Sequence, residues 1–284
     1  MKRLFTLSDV IAGEKGEMTG TNGHLTLFMT VLTLSVKSFH LLHTFTIRRF
    51  RTAMSASSTE LEIEQKFAVD DGQAIEARLR ELGMENKSQK VIVDWYYDVE
   101  NEPLLTPKDQ WLRYRQTDNQ AVWQLKRGRS HEGGTTLYEE IEGREAVEVA
   151  AALLPDSLVN KSSTCSEFEG LAVPKLPVEC SLAPFARIES TRSSWSYPAE
   201  QGSTISVDLD RTSHGYSVGE VETVVQDESE IAEARQAVQG FLAKLLPTTD
   251  AIPPVGKLEH YLMRNRPDHY AACVSGGSIK KRDP

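Results

Sequence analysis

The stretch TELEIEQKF, residues 59–67, alternates with a period of two, yet one of its two faces is almost wholly charged. Successive side chains of a strand point to opposite faces. Leu61, Ile63 and Phe67 therefore share one side, and Glu62, Glu64 and Lys66 the other. The inversion recurs along the chain. WLRYRQT puts Arg113 and Arg115 on one face, WQLKRG pairs Gln124 with Lys126, and YEEIEG aligns Tyr138, Glu140 and Glu142. SVDLD aligns Asp208 with Asp210 around Leu209, and VGEVETVV aligns Glu220 with Glu222 around Val221.

A single strand of this kind is ordinary, because antiparallel sheets usually bury one face and wet the other. Like charges at spacing two are different: they repel unless an opposite charge or an ion intervenes. A sheet closed with its charges inward, its apolar outer face covered by helices, satisfies every strand at once and forms a barrel whose bore holds a charged ligand. Paired carboxylates suit Mg²⁺ or Mn²⁺. Arginines match phosphate oxygens in a bidentate fork, and lysines add point charges. The bore chemistry thus points to a metal-chelated polyphosphate.

The chain has 284 residues, 39% of them hydrophobic, which permits a sizeable core. A net charge of -9 excludes general adhesion to nucleic acid or anionic membrane, so a polyanion must be held locally. The apolar run at 25–36 is too short for a bilayer, where about 20 residues are needed. Cys165, Cys180 and Cys273 have no CxxC spacing and are read as free thiols in a reducing compartment. A cytoplasmic monomer, without nucleic-acid or membrane partners, is the expectation. Residues 18–59 hold no acidic residue but carry Ser, Thr, Lys37, Arg48, Arg49 and Arg51, a composition like a mitochondrial transit peptide and the source of the alternative location. Residues 1–57 are set apart as a disordered or targeting-like extension, with Met54 as an alternative start.

The folded domain is expected over 58–270, with a flexible tail at 271–284. DDGQAIEARLRELG reads as a helix with Asp70 or Asp71 as N-cap and Gly83 as its stop. Further helices are expected in REAVEVAAALL, over 228–246, and in KLEHYLMRNRP, ending before Pro267. Strands are expected at 91–99, 110–117, 121–127, 137–142, 186–197, 204–209 and 217–225. The Ser-, Thr- and Pro-bearing excursion at 155–184 is expected to hold one short helix, and TTDAIPPVG reads as a linker.

Glu62-Ile-Glu64-Gln-Lys66 matches the ExExK signature of the CYTH superfamily, the triphosphate tunnel metalloenzymes. DWYYD, WLRYR, WQLKRG, LYEE, TRSSW, VDLD, GYSVGEVE and KLEHYLMRNRP follow it in order, so the resemblance covers nearly all of 60–267. The ordered set is most similar to the thiamine-triphosphatase branch. That resemblance implies an α+β fold, a closed antiparallel barrel of eight strands with helices packed outside, hydrolysing thiamine triphosphate with Mg²⁺.

By motif match, the resemblance implies that Lys66, Arg113, Arg115, Lys126, Arg192 and Lys257 grip phosphates. Asp208, Glu220 and Glu222 would hold the catalytic metal, with Glu62, Glu64, Glu140 and Asp210 as further ligands. Tyr96 and Lys126 fall where the family has groups discussed as activating water, and Trp111 where an indole stacks on a cationic thiazolium. Tyr114 is expected to face outward, and the histidines show no catalytic pairing. The alternatives are an inorganic tripolyphosphatase, an adenylate cyclase of the same superfamily, and a polyphosphate-binding module without turnover.

Overall fold

The computed structural model describes residues 60–159, 161–199, 204–247 and 254–282. The extension at 1–57 and most of the TTDAIPPVG linker lie outside the described residues. Eight strands close an antiparallel barrel: β1 (Glu60–Ala68), β2 (Glu85–Val99), β3 (Gln110–Gln116), β4 (Ala121–Glu132), β5 (Thr135–Glu142), β8 (Leu182–Ser196), β9 (Ser206–Thr212) and β10 (Ser217–Val225). Their order around the wall is β1-β10-β9-β8-β2-β3-β4-β5, with β5 pairing back to β1. Closure gives each of these eight strands a hydrogen-bonded neighbour on both sides. It also gives every charged face of the sequence a common interior.

The outward face of each strand is apolar and covered. Leu61, Ile63 and Phe67 of β1 join Val207, Leu209 and Val221 under α1 (Gly72–Glu81) and α3 (Ile231–Leu245), with Leu79, Val238 and Phe241 among the contacts. Around the wall, Tyr97, Leu112, Trp123, Leu125 and Ile141 pack against Ala146, Val147 and Ala150 of α2 (Arg144–Ala152). Each fully buried aliphatic contributes about 1.5–3 kcal/mol, so the outer layer drives closure. Tyr114 lies against Trp123 in this outer layer, as expected from its place between Arg113 and Arg115.

Local signals fix the ends. Asp71 caps α1, its carboxylate accepting from the backbone of Gln73 at 3.0 Å and Ala74 at 3.1 Å. Asp98, at the end of β2, gathers the following loop: Oδ1 accepts from the amides of Val99, Leu104 and Leu105, and Oδ2 from the amide and hydroxyl of Thr106.

Three expectations change. The excursion at 155–184 forms no helix among its described residues, but a small hairpin of β6 (Glu167–Phe168) and β7 (Leu171–Ala172). After α4 (Lys257–Asn265), Pro267 ends one helix and starts another, α5 (Pro267–Gly276), in part of what was read as a tail. The reason is proline's double character: it cannot continue a helix, but its fixed φ suits a first turn. Finally, α4 and α5 do not pack on an outer face alone. Leu258 and Leu262 sit on Tyr96, Ala186 and Ile188, and the last two lie on the same side of β8 as Arg192, where the inward positions turn apolar.

Candidate active site

The barrel encloses a cavity of about 1040 Å³. Glu62, Glu64, Lys66, Tyr96, Trp111, Arg113, Arg115, Lys126, Glu140, Arg192, Glu220, Glu222 and Lys257 all line it. Strand register explains the convergence. Lys66 faces Glu220 and Glu64 faces Glu222 across β1 and β10, while Lys126 faces Glu140 across β4 and β5. On the opposite wall, Tyr96 faces Arg113 and Asp94 faces Arg115.

All of the bore cations except Arg113 hydrogen-bond to carboxylates. Lys66 donates to Glu64 and lies 3.4 Å from Glu220. Lys126 donates to Glu62 and, at 3.2 Å, to Glu64. Arg115 grips Asp94 through Nε at 2.7 Å and Nη2 at 2.8 Å. Arg113 donates to Gln124 Oε1 at 2.8 Å, and Gln124 in turn donates to Glu142 at 2.6 Å. Asp94 stands in the DWYYD motif, two residues before Tyr96 and so on the same face; that parity was the available signal for a residue the sequence reading did not single out.

Asp208 and Asp210, on the inward face of β9, are buried beneath Arg192, which lines the cavity where they do not. Arg192 donates to Asp208 and binds Asp210 through Nε at 2.8 Å and Nη2 at 2.6 Å, and Lys257 reaches Asp210 at 2.5 Å from α4. The position of Lys257, which opens a helix after the linker, is set by this contact and by burial of Leu258.

Burial inside the bore disfavours charge, but the pairing overrides it. Burial works to raise the Glu62 pKa, yet Lys126 brings it down to about 2. Burial likewise opposes the Lys126 ammonium, but Glu62 and Glu64 hold its pKa well above the usual lysine range. Burial first, then Asp94, raises the Tyr96 phenol. Lys126 therefore stands charged and Tyr96 protonated: both present donors, and in this state neither is a base ready to take a proton from water.

Trp111 is held in place. Its indole N–H donates to Asp109 Oδ1 at 2.6 Å, and Asp109 Oδ2 meets His131 Nε2 at 3.0 Å. Asp109 adopts a left-handed backbone, φ 59°. Gly128 makes room for it, since a Cβ there would lie 1.6 Å from the Asp109 carboxylate. Neither Asp109 nor His131 was legible from spacing, because a β-bulge at 128–130 brings them together.

The donor set suits a hard divalent cation. Glu64 and Glu222 face each other, Asp208 faces Glu220, and Glu140 Oε1 is buried without a hydrogen bond, its nearest cation Arg113 at 3.5 Å. Burial, then Glu62 and Asp208, push the Glu222 carboxyl well above the usual range. Among the described residues no three acidic or histidine side chains are already drawn together as a metal centre, because lysines and arginines occupy the oxygens.

Residues 60–250 match the CYTH domain. The chain belongs to the CYTH domain family. Two curated relatives, the thiamine-triphosphatases of Macaca fascicularis and Homo sapiens, are each 29% identical over 231 residues, spanning 78% of this chain and 93% of theirs. A solved protein from Pyrococcus horikoshii OT3 is 18% identical with a TM-score of 0.47, covering 72% of this chain and 99% of that one. The CYTH resemblance of the ordered motifs is thus matched over most of the chain, and the closed eight-stranded barrel it implied is the one observed.

Proposed function

We propose that this CYTH protein is a Mg²⁺-dependent hydrolase of thiamine triphosphate, converting it with one water to thiamine diphosphate and phosphate. The observation that carries the reading is a closed bore in which lysines and arginines from β1, β3, β4, β8 and α4 line one cavity beside an indole held by Asp109. The thiamine-triphosphatase relatives supply the substrate.

Phosphoryl transfer asks a protein chiefly to position the reactants and offset charge. Lys66, Lys126, Arg113, Arg115, Arg192 and Lys257 are paired with carboxylates; on binding they exchange some of those partners for phosphate oxygens. Lys126 and the Tyr96 hydroxyl serve as donors to the transferring group. Trp111 offers its indole face to the cationic thiazolium. Asp208, Glu220 and Glu222, with Glu62, Glu64, Glu140 and Asp210 around them, would hold Mg²⁺, with Mn²⁺ as a substitute. The metal supplies Lewis-acid compensation of phosphoryl charge.

Phosphate release from thiamine triphosphate, ATP and inorganic tripolyphosphate, with and without Mg²⁺, tests this. Faster Mg²⁺-dependent turnover of thiamine triphosphate is expected. Equal or reversed rates would dismiss the thiamine assignment in favour of a tripolyphosphatase, and Mg²⁺-independent binding without release would favour a binding module.

A further inference from the structure

At one mouth of the tunnel the wall is completed by the end of the chain. Gly277 adopts φ +86° and caps α5, its N–H donating to Val274 O at 3.2 Å, and Ser278 N returns to Cys273 O at 3.1 Å. This reversal turns the chain back over the mouth. The end of α5 lies against the turn leading into Trp111, because a Cβ on Gly276 would sit 2.3 Å from Pro107 O.

Residues 278–282 are fixed at two points. Ile279, 7% exposed, is buried with Tyr96 and Leu258, and Trp111 packs on the same cluster. Farther on, Arg282 N donates to Tyr270 Oη at 3.2 Å and Arg282 Nε lies 3.8 Å from Glu259 of α4. Ile279, Leu258, Tyr96 and Trp111 line the cavity beside Lys280 and Lys281.

We propose that segment 278–282 is a specificity element, in which Ile279 completes, with Trp111 and Leu258, an apolar shelf for the organic group of a triphosphate ester. This rests on the hydrolase reading above and deepens it. Inorganic tripolyphosphate has no apolar surface to bury and gains nothing from the shelf. An ester gains there in proportion to the area it covers. Lys280 and Lys281, exposed at the same mouth, act on phosphate charge and so attract both kinds of substrate alike.

The test compares kcat/KM for thiamine triphosphate, ATP and tripolyphosphate in the full chain, with thermal unfolding measured alongside. Ile279→Ala should lower the ratio of thiamine triphosphate to tripolyphosphate about tenfold, with tripolyphosphate turnover within about twofold of wild type. Ile279→Val, which removes one methyl and spares the fold, should move the ratio the same way by a smaller factor. Lys280→Ala with Lys281→Ala should lower both substrates together and leave the ratio constant. An unchanged ratio in both Ile279 variants overturns the proposal, as does an equal fall for both substrates at unchanged melting temperature. If the wild type prefers ATP and Ile279→Ala abolishes that preference, the shelf stands and the thiamine reading falls. A wild type that prefers tripolyphosphate to every organic triphosphate overturns both.

Discussion

Glu222 lies directly across the β1–β10 ladder from Glu64, so two carboxylates confront each other in the tunnel wall. Lys66 and Lys126 satisfy Glu64, while Glu222 accepts from Ser206 at 3.2 Å and stands beside the neighbouring acids Glu62 and Asp208. On the metal-binding reading proposed above, a divalent cation would offset the charge of these carboxylates. Glu222→Gln should therefore raise the melting temperature of the metal-free protein, because it removes repulsion, and lower Mg²⁺-dependent turnover by about 10–100-fold. Mg²⁺ should stabilise the wild type in thermal melts and the variant much less. If Mg²⁺ leaves the wild-type melting temperature unmoved, the metal does not sit on this wall.

Arg192 bridges Asp208 and Asp210 with both carboxylates buried. Removing one partner of a buried ion pair leaves the other charge uncompensated, at about 3–5 kcal/mol. Arg192→Ala should destabilise by that order in urea unfolding, and the Arg192→Ala/Asp210→Ala pair by less than the sum of its parts. Additive losses would show that the two side chains are energetically independent.

The inside-out character of the barrel was legible because strand parity is strict: once Leu61 and Ile63 are placed outward, Glu62 and Glu64 have nowhere to go but in. Tyr96 and Tyr97 separate on the same rule, Tyr96 lining the cavity and Tyr97 donating to Pro174 O among the outer aromatics. Parity does not report partners between strands. The Asp94–Arg115 fork depends on the register of β2 with β3, and the Asp109–Trp111–His131 set on a bulge that no period reveals. The path of the chain end was hidden for a different reason. A Pro after a helical pattern reads as a stop, and only the packing of Gly276 on Pro107 shows that a new helix carries 277–282 back to the tunnel mouth.

Trp111 is oriented by Asp109, and Asp109 has room only because residue 128 has no side chain. Gly128→Ala should therefore reproduce, more weakly, the defect of Trp111→Ala. For Trp111→Ala, KM for thiamine triphosphate should rise about tenfold, in keeping with the loss of a stacked cation–indole contact, while tripolyphosphate is nearly unaffected. Steady-state kinetics on both substrates decide it. A Gly128→Ala enzyme with wild-type KM for thiamine triphosphate would show that Asp109 does not set the indole.

His269 of α5 joins the end of the chain to the β2–β3 loop: its Nε2 lies 2.7 Å from Thr106 Oγ1, which donates its one proton to Asp98. The hydroxyl must then accept from His269, fixing the tautomer with the proton on Nε2. Burial lowers the His269 pKa to about 4, with Asp98 opposing and Arg266 adding to the fall. Between pH 6.5 and 4 the unfolded chain binds a proton here that the folded chain refuses, so stability falls as the solution is acidified through that window. The slope is bounded by about 1.4 kcal/mol per pH unit for one proton. The contribution of carboxylates such as Glu62, lowered to about 2 from an ordinary value of 4.5, is lost from about pH 4.5 downward, and Glu222, raised, tilts stability the other way. The difference between wild type and His269→Gln therefore isolates the histidine. Urea midpoints taken from pH 7 to pH 4 should converge as the pH drops, and parallel curves would show that His269 protonates as freely in the folded protein as in the unfolded chain.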